Sequence, residues 1–169
     1  NRNITWTVRV RGCRGIRSMV KAHPSIAGVV LAGGRSSRMG QNKAMLDYHG
    51  QPLISHMMAL LQQVGITRPL ISGTVHGYDC LPDHTSFQGP GIAMANIMTS
   101  YPAPAGYLFV PVDMPLLNAE LLQRLLHQPG GSYFQGYPLP AYFVPPYRPA
   151  HVPSVRDLLA LYAVLPIAL

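Results

Sequence analysis

A short apolar run that breaks at paired glycines and continues into clustered cations constrains this chain more than any other stretch. It reads IAGVVLAGGRSSRMGQNK, from Ile26 to Lys43. Val29, Val30 and Leu31 predict a buried parallel strand, because such strands are covered on both faces and read as continuous apolar runs that end at turn residues. Gly33 and Gly34 let the backbone turn and approach a ligand closely, while Ser36, Ser37 and free amides can donate hydrogen bonds there. Arg35, Arg38 and Lys43 place three cations within nine residues, which an ordinary surface loop does not explain. The combination predicts a phosphate-holding turn, with arginine acting as a planar fork and lysine as a point charge.

Two common phosphate loops are excluded by spacing. Five residues after Gly34 stands Met39, so G-x-x-x-x-G-K-[ST] fails, and no G-x-G-x-x-G occurs. The pattern L-A-G-G-x-S-x-R-M-G-x-x-K, carried here by Leu31, Ala32, Gly33, Gly34, Ser36, Arg38, Met39, Gly40 and Lys43, resembles the signature loop of nucleotidyltransferases, most closely the molybdenum cofactor guanylyltransferases of MobA type.

The charge is unevenly spread. Of thirteen basic residues, six (Arg2, Arg9, Arg11, Arg14, Arg17 and Lys21) precede residue 25, and no acidic residue precedes Asp47. From Ser25 onward seven basic residues face six acidic ones, a net of +1 against +7 for the whole chain. The basicity therefore belongs to an N-terminal arm over residues 1–24, read as an extension before a nucleotidyltransferase domain over 25–169, and nucleic-acid binding is not expected of the body. Within the arm, ITWTVRV alternates like one edge strand. No apolar run reaches the length of a membrane span, and residues 1–24 lack a secretory pattern. Cys13 and Cys80 are far apart and in no metal spacing, so reduced thiols in a cytoplasm are expected.

The rest of the chain alternates strands and helices. Asp47 to Gly50 reads as a turn, with Pro52 opening a helix that carries Leu53, Met57, Leu60, Leu61 and Val64 and closes at Gly65. Arg68 to Gly73 predicts a strand, followed by a polar loop from Thr74 to Gln88. A Gly89-Pro90-Gly91 turn opens a helix with Ile92, Ala95, Ile97 and Met98. Tyr107 to Val112 predicts a buried strand ending on Asp113, and Asn118 caps a helix with Leu121, Leu122, Leu125 and Leu126 inward. Ser132 to Gln135 and Leu139 to Val144 predict short strands, and Ser154 and Asp157 a capping box before a last helix. The order predicts an α/β fold: a Rossmann-like three-layer α/β/α arrangement around a mostly parallel, doubly wound sheet. The resemblance adds that it is nucleotide-diphospho-sugar-transferase-like.

Asp113 is the second candidate. A carboxylate closing a buried strand stands at the carboxyl edge of the sheet, where open α/β sheets bind ligands, and Mg2+ needs only one or two protein carboxylates when phosphate oxygens and water complete its shell. The alternative is an Asp capping the turn before Pro115. The resemblance implies the metal role for Asp113 and nucleotide binding by Leu31, Ala32, Gly33, Gly34, Ser36, Arg38, Lys43 and Asp113, with Arg38, Lys43 and Asp113 catalytic. It implies transfer of GMP from GTP to the phosphate of molybdenum-molybdopterin, releasing pyrophosphate, with other molybdenum cofactor biosynthesis proteins as further partners. Gly33-Gly34 favours GTP, since related cytidylyltransferases show L-A-A-G.

Two further segments match more loosely. Gln88 to Ile92 resembles the family's G-P-L-A-G, with Ser86 near the place of an expected acidic residue and Asp83 further back. Tyr137 to Tyr142 resembles an acceptor-side segment, or is a proline-stiffened edge strand. Asn42 stands where the family usually has Asp, and the chain ends at PIAL where the family continues into an N-x-N-T-P-like segment; either the chain is truncated or its acceptor pocket is incomplete. The histidines show no i, i+4 metal pair, and no G-x-S-x-G elbow is present. The competing readings are a cytidylyltransferase of the same cofactor, a sugar-phosphate nucleotidyltransferase, a nucleotide-binding module without turnover, and nucleic-acid binding resting on the N-terminal arm.

Overall fold

Apolar residues pointing alternately to two sides build the centre of the fold. The computed structural model describes residues 26–33, 42–81, 89–101, 103 and 105–169. The arm and its expected edge strand lie outside the described residues.

Strand β1 (Ile26–Leu31) opens the described chain. A single 3-10 turn (Lys43–Met45) precedes a hairpin of β2 (Asp47–Tyr48) and β3 (Gln51–Pro52). Helix α1 (Leu53–Gln63), strand β4 (Leu70–Ser72), helix α2 (Pro90–Ser100) and strand β5 (Gly106–Pro111) follow. Then come α3 (Ala119–Leu126), β6 (Ser132–Phe134), β7 (Tyr137–Phe143), α4 (Val155–Leu161) and β8 (Leu165–Ile167).

Among the described residues the main sheet has six strands in the order β4-β1-β5-β7-β6-β8. β1 pairs in parallel with β4 and β5, β6 pairs in parallel with β8, and β7 runs antiparallel to both its neighbours. The sheet is thus mostly parallel, as expected, with one reversed strand. Val30, Leu108 and Val110 face a core shared with Ile54, Met57 and Leu61 of α1 and Leu122 and Leu125 of α3. Val29, Tyr107 and Phe109 face the opposite core with Met94 and Met98 of α2 and Leu158 of α4. This period-two division of each strand creates the three layers.

Local details differ from expectation where tertiary pairing intervened. The stretch read as a simple turn is a two-stranded hairpin closed by His49 and Gly50 at φ 53° and 81°, the pair of positive values that a tight hairpin turn requires. Pro52 caps α1 instead of opening it. The strand expected to reach Val112 ends at Pro111, although the Val112 amide still donates to Leu31 O at 3.1 Å, and Asp113 follows in the turn. The Tyr137 to Tyr142 segment lies between β5 and β6, so it is an interior strand and not an edge. β8 was not foreseen: its three residues contain a proline and gain strand character only by pairing with β6. Among the described residues no helix is long and apolar enough to cross a membrane.

Candidate active site

The carboxyl ends of β4, β1 and β5 meet at one edge of the sheet, and the predicted loop begins there. Leu31 and Ala32 are half-buried and Gly33 is exposed. The amides of Ala32 and Gly33 both donate to Ser72 O, at 2.8 and 3.1 Å, so these two donors are used to join β1 to β4. Gly34, Ser36 and Arg38 lie outside the described residues, as do Ser86, Asp83 and Gln88.

Lys43 and Asp113, seventy residues apart in sequence, come together: Lys43 Nζ donates to Asp113 Oδ2 at 3.2 Å. Lys43 is set by the 3-10 turn it begins, and Asp113 by the turn that follows β5. Their side chains are 49% and 50% exposed. An ion pair this accessible is worth about 0–1 kcal/mol, so both charges can turn to an incoming ligand at little cost.

Sequence reasoning missed several residues that shape this edge. Gly73 adopts φ +113°, and a Cβ there would come within 2.5 Å of the Gly33 amide nitrogen, so the loops after β1 and β4 approach this closely only because Gly73 lacks a side chain. Asn42 caps the 3-10 turn by accepting from the Ala44 amide at 3.1 Å and donates through Nδ2 to Thr74 O at 3.0 Å. His56 Nε2 lies 3.2 Å from Pro115 O, bracing the turn beyond Asp113 against α1. A glycine closing the strand expected over Arg68 to Gly73 was legible, but its approach to Gly33, like the Asn42 and His56 contacts, carries no local signature.

The Gly89-Pro90-Gly91 turn does open α2, with Pro90 at its first position. Gly91 donates to Pro153 O at 3.0 Å, and a Cβ at Gly89 would come within 2.5 Å of that same oxygen, so these glycines seat α2 against the loop before α4. A cavity of about 290 Å³ lies between the β6–β7 hairpin and α4, lined by Tyr133, Gly136, Pro138, Arg156 and Leu159 among others, and includes neither Lys43 nor Asp113.

No group of three or more His, Cys, Asp or Glu capable of holding a metal occurs among the described residues. A cation held at Asp113, whose carboxylate is half exposed, would take its other ligands from phosphate and water. The displaced titrations are those of tyrosines in the packing. Burial pushes Tyr107 up to about 12 and Tyr142 upward, and burial raises Tyr147 further with help from Tyr107, Tyr142 and Tyr162. The hydroxyls of Tyr107, Tyr142 and Tyr147 all donate to backbone carbonyls.

Comparison with known proteins bears on the chain as a whole. The MobA-like NTP transferase domain model matches residues 28–152. The molybdenum cofactor guanylyltransferase of Xanthomonas euvesicatoria pv. vesicatoria (strain 85-10) is 48% identical over 99 residues, covering 59% of this chain and 52% of that protein. The Rhodobacter capsulatus molybdenum cofactor guanylyltransferase is 32% identical over 144 residues, covering 80% and 75%. The chain thus spans about half the length of the first and three quarters of the second. Among solved structures, Rv0371c of Mycobacterium tuberculosis H37Rv superposes with a TM-score of 0.64 at 19% identity, covering 86% of this chain and 88% of that one. A complex of the same protein with manganese superposes with a TM-score of 0.57. At such identity the likeness speaks for the fold.

Proposed function

This chain belongs to the MobA-like NTP transferase domain family, and we propose on that premise that it transfers GMP from GTP to the phosphate of molybdenum-molybdopterin, releasing pyrophosphate and forming the guanine dinucleotide. The single observation that carries the reading is the 3.2 Å pairing of Lys43 with Asp113 at the carboxyl edge of the sheet. On this reading Lys43 would serve the triphosphate and Asp113 a divalent metal at one place. Two curated relatives named molybdenum cofactor guanylyltransferase support the choice of base and acceptor.

In the proposed step an oxygen of the acceptor phosphate bonds to the α-phosphorus of GTP, and the bond from that phosphorus to the α–β bridging oxygen breaks. The bridging oxygen keeps the electron pair and leaves with pyrophosphate. Asp113 would hold a divalent cation, which we assign as Mg2+ and which would neutralise phosphate charge when bound. Leu31, Ala32, Gly33, Gly34 and Ser36 would line the nucleotide, and Arg38 and Lys43 would balance the charge that grows on the leaving pyrophosphate. Catalysis of this kind needs positioning and fixed charge instead of a protein nucleophile.

The test is a pyrophosphate-release assay with GTP, magnesium and molybdenum-molybdopterin, set against CTP. Release with GTP at least about tenfold faster than with CTP is expected, since recognition of a hydrogen-bonded base discriminates by that much or more. Equal rates, or faster release with CTP, would overturn the choice of base. GTP-dependent thermal stabilisation without release would support a binding module instead.

A further inference from the structure

Asn42 is the first residue described after Gly33, and its side chain ties it to two other segments. Every polar group of that side chain is engaged: Nδ2 donates to Thr74 O at 3.0 Å, and Oδ1 accepts from the Ala44 amide at 3.1 Å. The backbone carbonyl of the same residue accepts from the Met45 amide at 2.9 Å. Thr74 follows the β4 strand whose Ser72 carbonyl receives the amides of Ala32 and Gly33. The next residue, Lys43, reaches Asp113. A continuous set of contacts therefore runs from the end of β1 through the loop after β4, through Asn42 and Lys43, to the turn after β5.

Capping alone does not explain this arrangement. A cap needs an acceptor, and serine or aspartate supplies one as well as asparagine does. The asparagine amide adds a donor to that acceptor on one planar group, and here it caps Ala44 while giving a proton to Thr74 O. An aspartate would keep the shape and the cap but set a carboxylate oxygen against a carbonyl oxygen and add a negative charge beside Lys43. A serine would keep a capping oxygen but is too short to span both partners.

We infer that Asn42 is a positioning residue for Lys43: its amide ties the lysine-bearing turn to the loop after β4 and so aims the ammonium at Asp113. The kinetic part of this inference rests on the proposed transfer; the placement of the ammonium does not. Because Lys43 is exposed and flexible in itself, its aim depends on where its backbone is held.

Two measurements on the full chain test it. The first needs no turnover: reductive methylation with peptide mapping reads how fast Lys43 is modified. Asn42→Ser is expected to raise that rate severalfold, towards the rate in Asp113→Ala, because loss of aim frees the ammonium as loss of its partner does. A rate equal to that of the wild-type chain overturns the inference. A normal rate in Asn42→Ser together with a raised rate in Asn42→Ala would also overturn it, by showing that the cap alone matters.

The second is kinetic. Asn42→Ser should lower kcat by about tenfold while KM for GTP changes by less than about threefold, as expected when a charged group is misplaced by a fraction of an ångström. In the Lys43→Ala background the Asn42→Ser change should cost less than about twofold more, because residues that act through one another are not additive. A full tenfold further loss in that background would refute action through Lys43. If the wild-type chain releases no pyrophosphate, the proposed transfer falls, and the labelling result still decides the role of Asn42.

Discussion

The two halves of the sheet use their polar groups in opposite ways. In the half formed by β7, β6 and β8, side chains close on the protein's own backbone: Ser132, fully buried, donates to Leu125 O, Tyr142 donates to Ala105 O, and Arg124 donates to Ala168 O while lying over the Phe134 ring. In the half formed by β4, β1 and β5, the carboxyl ends carry Gly33, Gly73 and the half-exposed Lys43–Asp113 pair. Bonds to internal carbonyls stabilise, because a buried polar group left without a partner costs about 1–3 kcal/mol. Charges that face water and bond one another at about 0–1 kcal/mol are available to a ligand. The difference separates polar groups tied to the protein's own backbone from an exposed pair that the proposed function puts to use.

Substitutions that break this separation should do so in graded amounts. Asp113→Ala or Lys43→Ala is expected to lower pyrophosphate release by about a hundred- to thousandfold, the cost of removing a positioned charge. Each should leave stability within about 1 kcal/mol of the parent in urea titration, because the pair is half exposed. A large loss of stability would move this pair into the fold-holding class.

Gly73→Ala should damage both properties. Its φ of +113° and the 2.5 Å approach of a Cβ to Gly33 N imply strain of about 1–3 kcal/mol, visible in urea, together with a raised KM for GTP. Unchanged KM in a destabilised chain would detach this glycine contact from the site.

Ser132→Ala in the other half should cost about 0.5–1.5 kcal/mol, since it removes the buried hydroxyl's bond to Leu125 O, an oxygen that keeps the Gln128 amide at 3.1 Å, and should leave turnover per folded molecule unchanged. Reduced kcat in that variant would show that the halves are coupled.

The smallest effect near neutral pH concerns the tyrosines. Tyr107 is raised to about 12 by burial, so between pH 10 and 12 the unfolded chain loses a proton that the folded chain keeps. Stability should therefore be independent of this group below about pH 10 and fall from there towards pH 12. Urea titrations in Tyr107→Phe should show a shallower alkaline fall; an identical slope would assign the fall to other groups.

Much of the fold was legible because its strongest elements are local. VVL before paired glycines, YLFVPV, and the periodic leucines of α1 and α3 carry their own signals, and Asn118 caps α3 as expected, accepting from Leu121 N at 3.0 Å. Ser154 likewise caps α4 by accepting from Asp157 N at 3.1 Å. Less legible were β8, whose strand character depends on β6, and the interior place of β7, whose prolines suggest an edge. Of the candidate site residues, Leu31, Ala32, Gly33, Lys43 and Asp113 fall among the described residues and gather at the expected edge. The uses of Asn42, His56 and Gly73 were hidden, since each is defined by a partner distant in sequence.

By itself the sequence determined the alternation of strands and helices, the turn at Gly33, and which charged residues were candidates for chemistry, because apolar periodicity, glycine and side-chain charge act within a few residues. Only the tertiary structure decided that β7 runs antiparallel inside the sheet, that Ser72 takes up the amides of Ala32 and Gly33, and that Lys43 meets Asp113 across seventy residues. Those outcomes depend on strand order and register, which are set by how whole faces bury against one another and not by any one stretch of chain.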